Sequence, residues 1–261
     1  MKRAPGRSEG LFLVGTCHWD PHGLGRCRTL LDLLAPDVVL VEVSPFAVWI
    51  RKEHRRFFLR LFRKNVATAA AAHGMSLRAA LCMPAVRRIL RQCALPFEWR
   101  AARNRHAERG TPYFCVDRSD ASRLFVSDWP HWLSSDNLKA LLRSNAPVPP
   151  SVAEEYGRAR AALSGITPAA SRFLAADGSL WERRERWLEQ TVRATLRVLA
   201  PTRLVYLGGW SHVVPNAGVS LFDRLRDCAP VSLLLDEVDG LEKADGGLAP
   251  QPTARPGPSR P

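Results

Sequence analysis

Leu11-Phe12-Leu13-Val14-Gly15-Thr16-Cys17-His18 lies near the start of the chain, and Leu204-Val205-Tyr206-Leu207-Gly208-Gly209-Trp210-Ser211-His212 lies near its end. Each is an apolar run with strand propensity that meets glycine. In each, a histidine follows a glycine by three residues. Parallel sheets gather ligands at the carboxyl ends of their strands. Glycine there allows a sharp turn or a close backbone approach. The two copies therefore predict that His18 and His212, far apart in sequence, meet over one site.

The chain after the first copy supports a parallel arrangement. Leu30, Leu31, Leu33 and Leu34 follow helical spacing, and Pro36-Asp37 ends that pattern. Val38-Val39-Leu40-Val41-Glu42-Val43 then reads as a strand buried on both faces, which makes a βαβ unit. Glu42 is the anomaly, because a carboxylate at the end of a buried strand is costly unless paired or bound to a cation. Its ordinary partner would be one of the many arginines, and its functional reading is a site shared with His18. His18 and His22 are four apart, but Pro21 disfavours an unbroken helix between them, so His22 is read as a loop residue.

Residues 46–95 read as mostly helical, basic and alanine-rich. Within them, residues 51–64 form an amphipathic stretch whose cationic face suits either an anionic surface or plain solvation. A helix from Leu95 ends at Gly110, and Tyr113-Phe114-Cys115-Val116 is a strand that ends in Asp117-Arg118. Residues 123–150 read as mixed, with Trp129, His131 and Trp132 in a loop or short helix. Helices resume at 151–163, 179–199 and 218–226, and Val231 to Leu235 is the last strand. The expected fold class is α/β: a single domain with a central, largely parallel or mixed sheet flanked by helices. A helical insertion is expected at about 46–95. Residues 1–10 are expected to be a flexible N-terminus, 11–238 the domain, and 239–261 a disordered Pro/Gly-rich tail.

The 261 residues suffice for a sizeable core. The net charge of +13 is spread over many helices, and no zinc finger or RNA-binding signature accompanies it, so nucleic acid is not the expected partner. Six cysteines without a CxxC pair read as buried free thiols of a reducing compartment. No leader-like or membrane-length apolar run is present, and a cytoplasmic location is expected.

These residues carry a resemblance. The chain resembles the TraB/PrgY family, within the wider group of Tiki, GumN-like and erythromycin-esterase/ChaN-like proteins. Val14-Gly15-Thr16-Cys17-His18 is similar to the family's first Gly-x-x-His motif, and Pro36-Asp37-Val38-Val39-Leu40-Val41-Glu42 to its Pro-Asp-x-Val-x-Val-Glu strand. Phe97-Glu98-Trp99-Arg100-Ala101-Ala102 resembles the helix before a strand ending in Asp-Arg, here Asp117-Arg118. Arg184 falls where the group has a helical arginine, ahead of the second Gly-x-x-His at Gly209 to His212. Two features depart from the pattern. Val43-Ser44-Pro45-Phe46 replaces the family's Leu-Cys and arginine after the glutamate, and Glu185 stands where Asn or Asp usually follows the helical arginine.

The resemblance implies a metal-dependent hydrolase, in some relatives a peptidase, acting on a peptide or a small ester or amide. It implies His18, Glu42 and His212 as ligands of a divalent metal, manganese or cobalt rather than zinc. Arg118 and Arg184 would join them in catalysis, with Gly15, Gly209, Glu98 and Asp117 in support. Two imidazoles and a carboxylate suit an open cation site in any case. The alternative is a non-catalytic protein of the same fold that sequesters peptide or binds haem. A third reading is an anionic-surface or nucleic-acid adaptor built on the basic helices between 51 and 105, which could also make weak peripheral membrane contact.

Overall fold

The structure is a computed structural model that describes residues 10–144, 150–166 and 174–240. Apart from Gly10, Asp239 and Gly240, the expected flexible N-terminus and tail lie outside the described residues.

Five strands form one sheet: β1 (Gly10–Thr16), β2 (Val38–Val41), β3 (Tyr113–Cys115), β4 (Arg203–Gly209) and β5 (Val231–Leu234). Every pairing is parallel, and the order is β3-β2-β4-β1-β5. Helices cover the sheet, so β2 is buried at all four positions and β4 at its last six. That coverage explains why these strands read as continuous apolar runs rather than alternating ones. β4 enters between β1 and β2. The strand formed last but one in the sequence is therefore the central strand of the sheet.

The helices follow in chain order. α1 (Gly23–Leu34) crosses from β1 to β2, and its end at Ala35 takes a left-handed conformation before Pro36. α2 (Pro45–Glu53), α3 (Arg55–Ala71), α4 (Leu77–Cys82) and α5 (Pro84–Gln92) follow β2. The Ser44-Pro45 departure from the family pattern proves to be a helix start. Ser44 accepts a hydrogen bond from the Ala47 amide at 2.9 Å, and Pro45 occupies the first helical position. α6 (Phe97–Arg109) leads to β3 and stops at Gly110, whose φ of 71° suits glycine. α7 (Ser119–Ser127), α8 (Trp129–Trp132) and α9 (Ser135–Arg143) come next, then α10 (Val152–Leu163) and the long α11 (Leu174–Leu199). α12 (Leu221–Arg224) lies between β4 and β5.

Two apolar cores result. The larger surrounds the sheet. The smaller is purely helical and joins Phe62, Val66, Trp129, Leu133 and Leu138. It draws on α3 and α9, which flank α6 and β3 in sequence, so the helical body extends beyond residues 46–95 and takes in 119–143. The expected mixed stretch after Arg123 holds three helices, because Trp129, Leu133 and Leu138 are buried in this second core. The amphipathic stretch of 51–64 breaks at His54 between α2 and α3. On α3, Phe62 and Val66 face the core while Arg55, Arg56, Arg60, Arg63 and Lys64 are exposed. All six cysteines are free thiols, but only Cys17, Cys27 and Cys93 are buried, and Cys82 is exposed because it closes the short surface helix α4. No helix among the described residues is long and apolar enough to cross a membrane.

Candidate active site

The register of β1 and β4 decides where the histidines go. Gly15 lies beside Gly208, and Thr16 beside Gly209. β1 delivers His18 two residues after its last position. β4 turns at Gly209 into a single 3-10 turn, Trp210–His212, which brings His212 back over the sheet edge. On the other side of β4, Val41 lies beside Leu207, and the Glu42 amide donates to the Leu207 carbonyl at 2.9 Å. Glu42, His212 and His18 thus come from three adjacent strands, with the β4 residue in the middle.

The glycines leave room for this convergence. A Cβ on Gly209 would sit 3.0 Å from His18 Nε2 and 3.6 Å from Glu42 Oε2. One on Gly208 would collide with Glu42 Oε2 and lie 2.6 Å from the Tyr206 hydroxyl. One on Gly15 would lie 2.6 Å from Val213 Cγ2. The glycines are needed for close approach, since none of the three has a positive φ.

Each histidine is oriented by a buried carboxylate. His18 Nδ1 lies 2.8 Å from Glu98 Oε1, which also accepts from the Thr16 hydroxyl at 2.7 Å. Glu98 stands in the first turn of α6, where the helix dipole favours a negative charge. His212 Nδ1 is held by Glu185 Oε1, and Glu185 Oε2 accepts from the Leu221 amide at 2.6 Å. Trp181 stacks on the His212 ring at 4.6 Å and 16°. Trp181, Glu185 and Leu188 follow i, i+4, i+7 spacing, so a single face of α11 buttresses His212. With both Nδ1 atoms engaged, the Nε2 atoms are the remaining ring nitrogens at the sheet edge. His212 Nε2 is 2.9 Å from Glu42 Oε1. His18 Nε2, near Gly209, has no hydrogen-bond partner among the described residues.

The Glu42 side chain is 2% exposed, and its cost of burial is met by two cations and two donors. Arg184 and His212 contact Oε1; the Gly209 amide donates to Oε2 at 2.6 Å and the Tyr206 hydroxyl at 3.2 Å. Burial raises the Glu42 pKa, but His212 and Arg184 outweigh it and hold the carboxyl well below its usual range. Burial likewise pushes His212 down, and Glu185 and Glu42 reverse this, raising it to about 10. For His18, desolvation is also outweighed by Glu98, and its pKa is raised.

The other expected residues separate into two groups. Arg184 is central: it bonds Asp117 through Nε at 2.9 Å and through a terminal nitrogen at 2.8 Å, and also reaches Glu42. Asp117 is therefore the clamp that aims Arg184. Arg118 goes elsewhere. Its guanidinium pairs with Asp120 at the start of α7, in a separate surface depression. Glu185 was visible in the sequence only as a departure from a motif. Its signal was its place beside Arg184 on a helix with an apolar face at Leu188 and Val192, both fully buried.

These groups border a cavity of about 910 Å³ between the sheet edge and the helical body. Cys17, next to His18, is buried, and desolvation pushes its thiol up to about 12, which disfavours the thiolate. The residue types at the edge, two histidines and a carboxylate, are ones that can ligate a divalent cation. At each imidazole a carboxylate holds Nδ1, the arrangement that orients metal-binding histidines, and a third carboxylate, Glu42, contacts Nε2 of His212. The side chains stand as an ion-pair network, and no group of three or more His, Cys, Asp and Glu among the described residues forms a metal cage. Comparison of the chain with protein-family models, with curated proteins and with solved structures finds no match.

Proposed function

We propose that this cavity is the active site of a divalent-metal-dependent hydrolase of the TraB/PrgY type, acting on a peptide, amide or ester bond. One observation carries the reading: both Gly-x-x-His histidines are anchored at Nδ1 by buried carboxylates, which leaves His212 Nε2 against Glu42 and His18 Nε2 beside Gly209. His18, Glu42 and His212 would hold the metal, manganese or cobalt by resemblance. A bound divalent ion would polarise the scissile carbonyl and lower the pKa of water at the site.

The chain's own residues supply the rest. Glu98 and Glu185 fix the ring orientations and keep each Nδ1 protonated. Glu42 and Glu185 hold a proton on His212 Nε2 that must leave before that nitrogen can act as a ligand. Arg184, released by Glu42 and still gripped by Asp117, is placed to stabilise negative charge on a substrate oxygen. Trp181 and Trp210 form apolar walls that limit water. The test is thermal unfolding of metal-stripped protein with Mn²⁺, Co²⁺, Zn²⁺ or Mg²⁺, for wild type, His18→Ala and His212→Ala. A metal-specific rise in wild type that is lost in both variants, with peptide or ester hydrolysis under that metal, supports the reading. No rise with any metal removes it.

A second reading has its own observation. Arg184 and His212 already neutralise Glu42, which suits a closed ion-pair scaffold beneath a binding cavity. The protein would then sequester a peptide or haem without turnover. Ligand binding with no hydrolysis in the metal-loaded protein, or a haem absorbance band lost in His18→Ala, favours it.

A further inference from the structure

The charges around the cavity do not cancel. Among the described residues lining it, Arg184 is paired with Glu42 and Asp117, and Arg158 with Glu155 at 3.0 Å. Those three carboxylates are all that the described lining contains. Two lining arginines, Arg51 and Arg88, have no carboxylate partner among the described residues.

Arg51 is the unusual one. It is 8% exposed, on the inner face of α2. Its Nε donates to the Gln92 carbonyl and one terminal nitrogen to the Ala47 carbonyl, both at 2.9 Å. Its guanidinium lies over the Trp129 ring at 5.2 Å. These contacts fix its direction and leave its charge uncompensated. Desolvation accordingly lowers its pKa, with no carboxylate opposing it. A buried guanidinium without a counter-ion is costly, and this one borders a cavity. Arg88 stands on α5, stacked over Trp19 at 5.6 Å. Trp19 follows His18 directly, so this pair joins the helical body to the histidine loop.

We infer that Arg51 and Arg88 form an oxyanion-binding subsite that selects substrates carrying a carboxylate or phosphate group. The inference rests on the cavity being the substrate site and deepens that reading by naming the substrate class. The anion would sit on the helical wall while its scissile bond reaches the Glu42 edge. A guanidinium offers paired donors that match either oxyanion. Arg51 is preorganised by its carbonyl contacts and π face, so little ordering cost remains on binding. The surplus charge also draws anions into a low-dielectric cleft.

Binding at constant ionic strength tests this in the full-length protein, with unfolding temperature and titration calorimetry as readouts. The probes are inorganic phosphate, N-acetylalanine and N-acetylalanine amide. The expected result is saturable binding of phosphate or the free acid and none of the neutral amide. Preference between the first two tells a phosphate from a carboxylate source. Arg88→Met, at an exposed position, and Arg51→Met should each weaken binding at least about tenfold. Should Arg51→Met not fold, Arg51→Lys keeps the charge, lacks the fork, and should still bind more weakly. His18→Ala should keep anion binding while losing metal response, which separates failure of the metal site from failure of this subsite. Equal binding of acid and amide, no saturable binding, or wild-type affinity after removal of either arginine overturns the proposal.

Discussion

Glu185 grips Nδ1 of His212 from 27 residues earlier in the chain, and so decides which nitrogen of that ring faces Glu42. Glu185→Gln keeps the size of the side chain but removes its charge. If His212 Nε2 is a metal ligand, divalent-metal affinity should fall about 10- to 100-fold, as for other carboxylates behind ligating histidines. The measurement is the metal concentration giving half the unfolding-temperature shift. Unaltered affinity would take His212 out of the ligand set.

The two histidines should differ in what they contribute to stability. His212 is 2% exposed between two carboxylates, whereas the His18 side chain is 49% exposed. Removing one partner of a buried ionic network leaves unpaired charge, so His212→Ala should cost about 3–5 kcal/mol in urea unfolding. His18→Ala should cost less than that, since the His18 ring is half exposed and Glu98 keeps its bond from Thr16. Equal losses would contradict the described burial.

Stability without metal should depend on pH through His212. Its pKa rises from 6.5 to about 10 on folding. The folded state therefore binds this proton more tightly than the unfolded state does. The resulting stability is complete below pH 6.5 and is lost as pH climbs toward 10. At about 1.4 kcal/mol per unit it amounts to several kcal/mol. Denaturant titrations from pH 6 to 10 should show the decline, and Glu185→Gln should flatten it. Metal binding must displace the same proton, so metal affinity should rise over that window.

Gly209→Ala tests the close approach. The Gly209 φ of −57° is open to alanine, so the backbone is not strained. The new methyl group would sit 3.0 Å from His18 Nε2. Metal response and any hydrolysis should drop at least about tenfold, with the far-ultraviolet circular dichroism unchanged. Full activity would mean that His18 Nε2 does not work at that position.

Much of this was written locally in the chain. Apolar β-branched runs, proline and glycine breaks, and helical periodicity were enough for the α/β class, the parallel βαβ start and the position of each strand. They also placed His18, Glu42 and His212 at strand ends, because side-chain periodicity and turn chemistry act over a few residues. Three things were decided only by packing. Strand order put β4 between β1 and β2, which a local pattern does not encode, and so set Glu42 against His212 rather than against His18 alone. The second core buried Trp129 and Leu138 on helices, with Leu133 in the turn between them, from a stretch with mixed signals, because burial outweighed weak propensity. Electrostatics then sorted the charged residues by distance. Arg184 turned inward to Asp117 and Glu42, Arg118 outward to Asp120, and Glu185 became the partner of His212. A charge has no partner until folding brings one within a few ångströms, so those assignments belong to the tertiary structure.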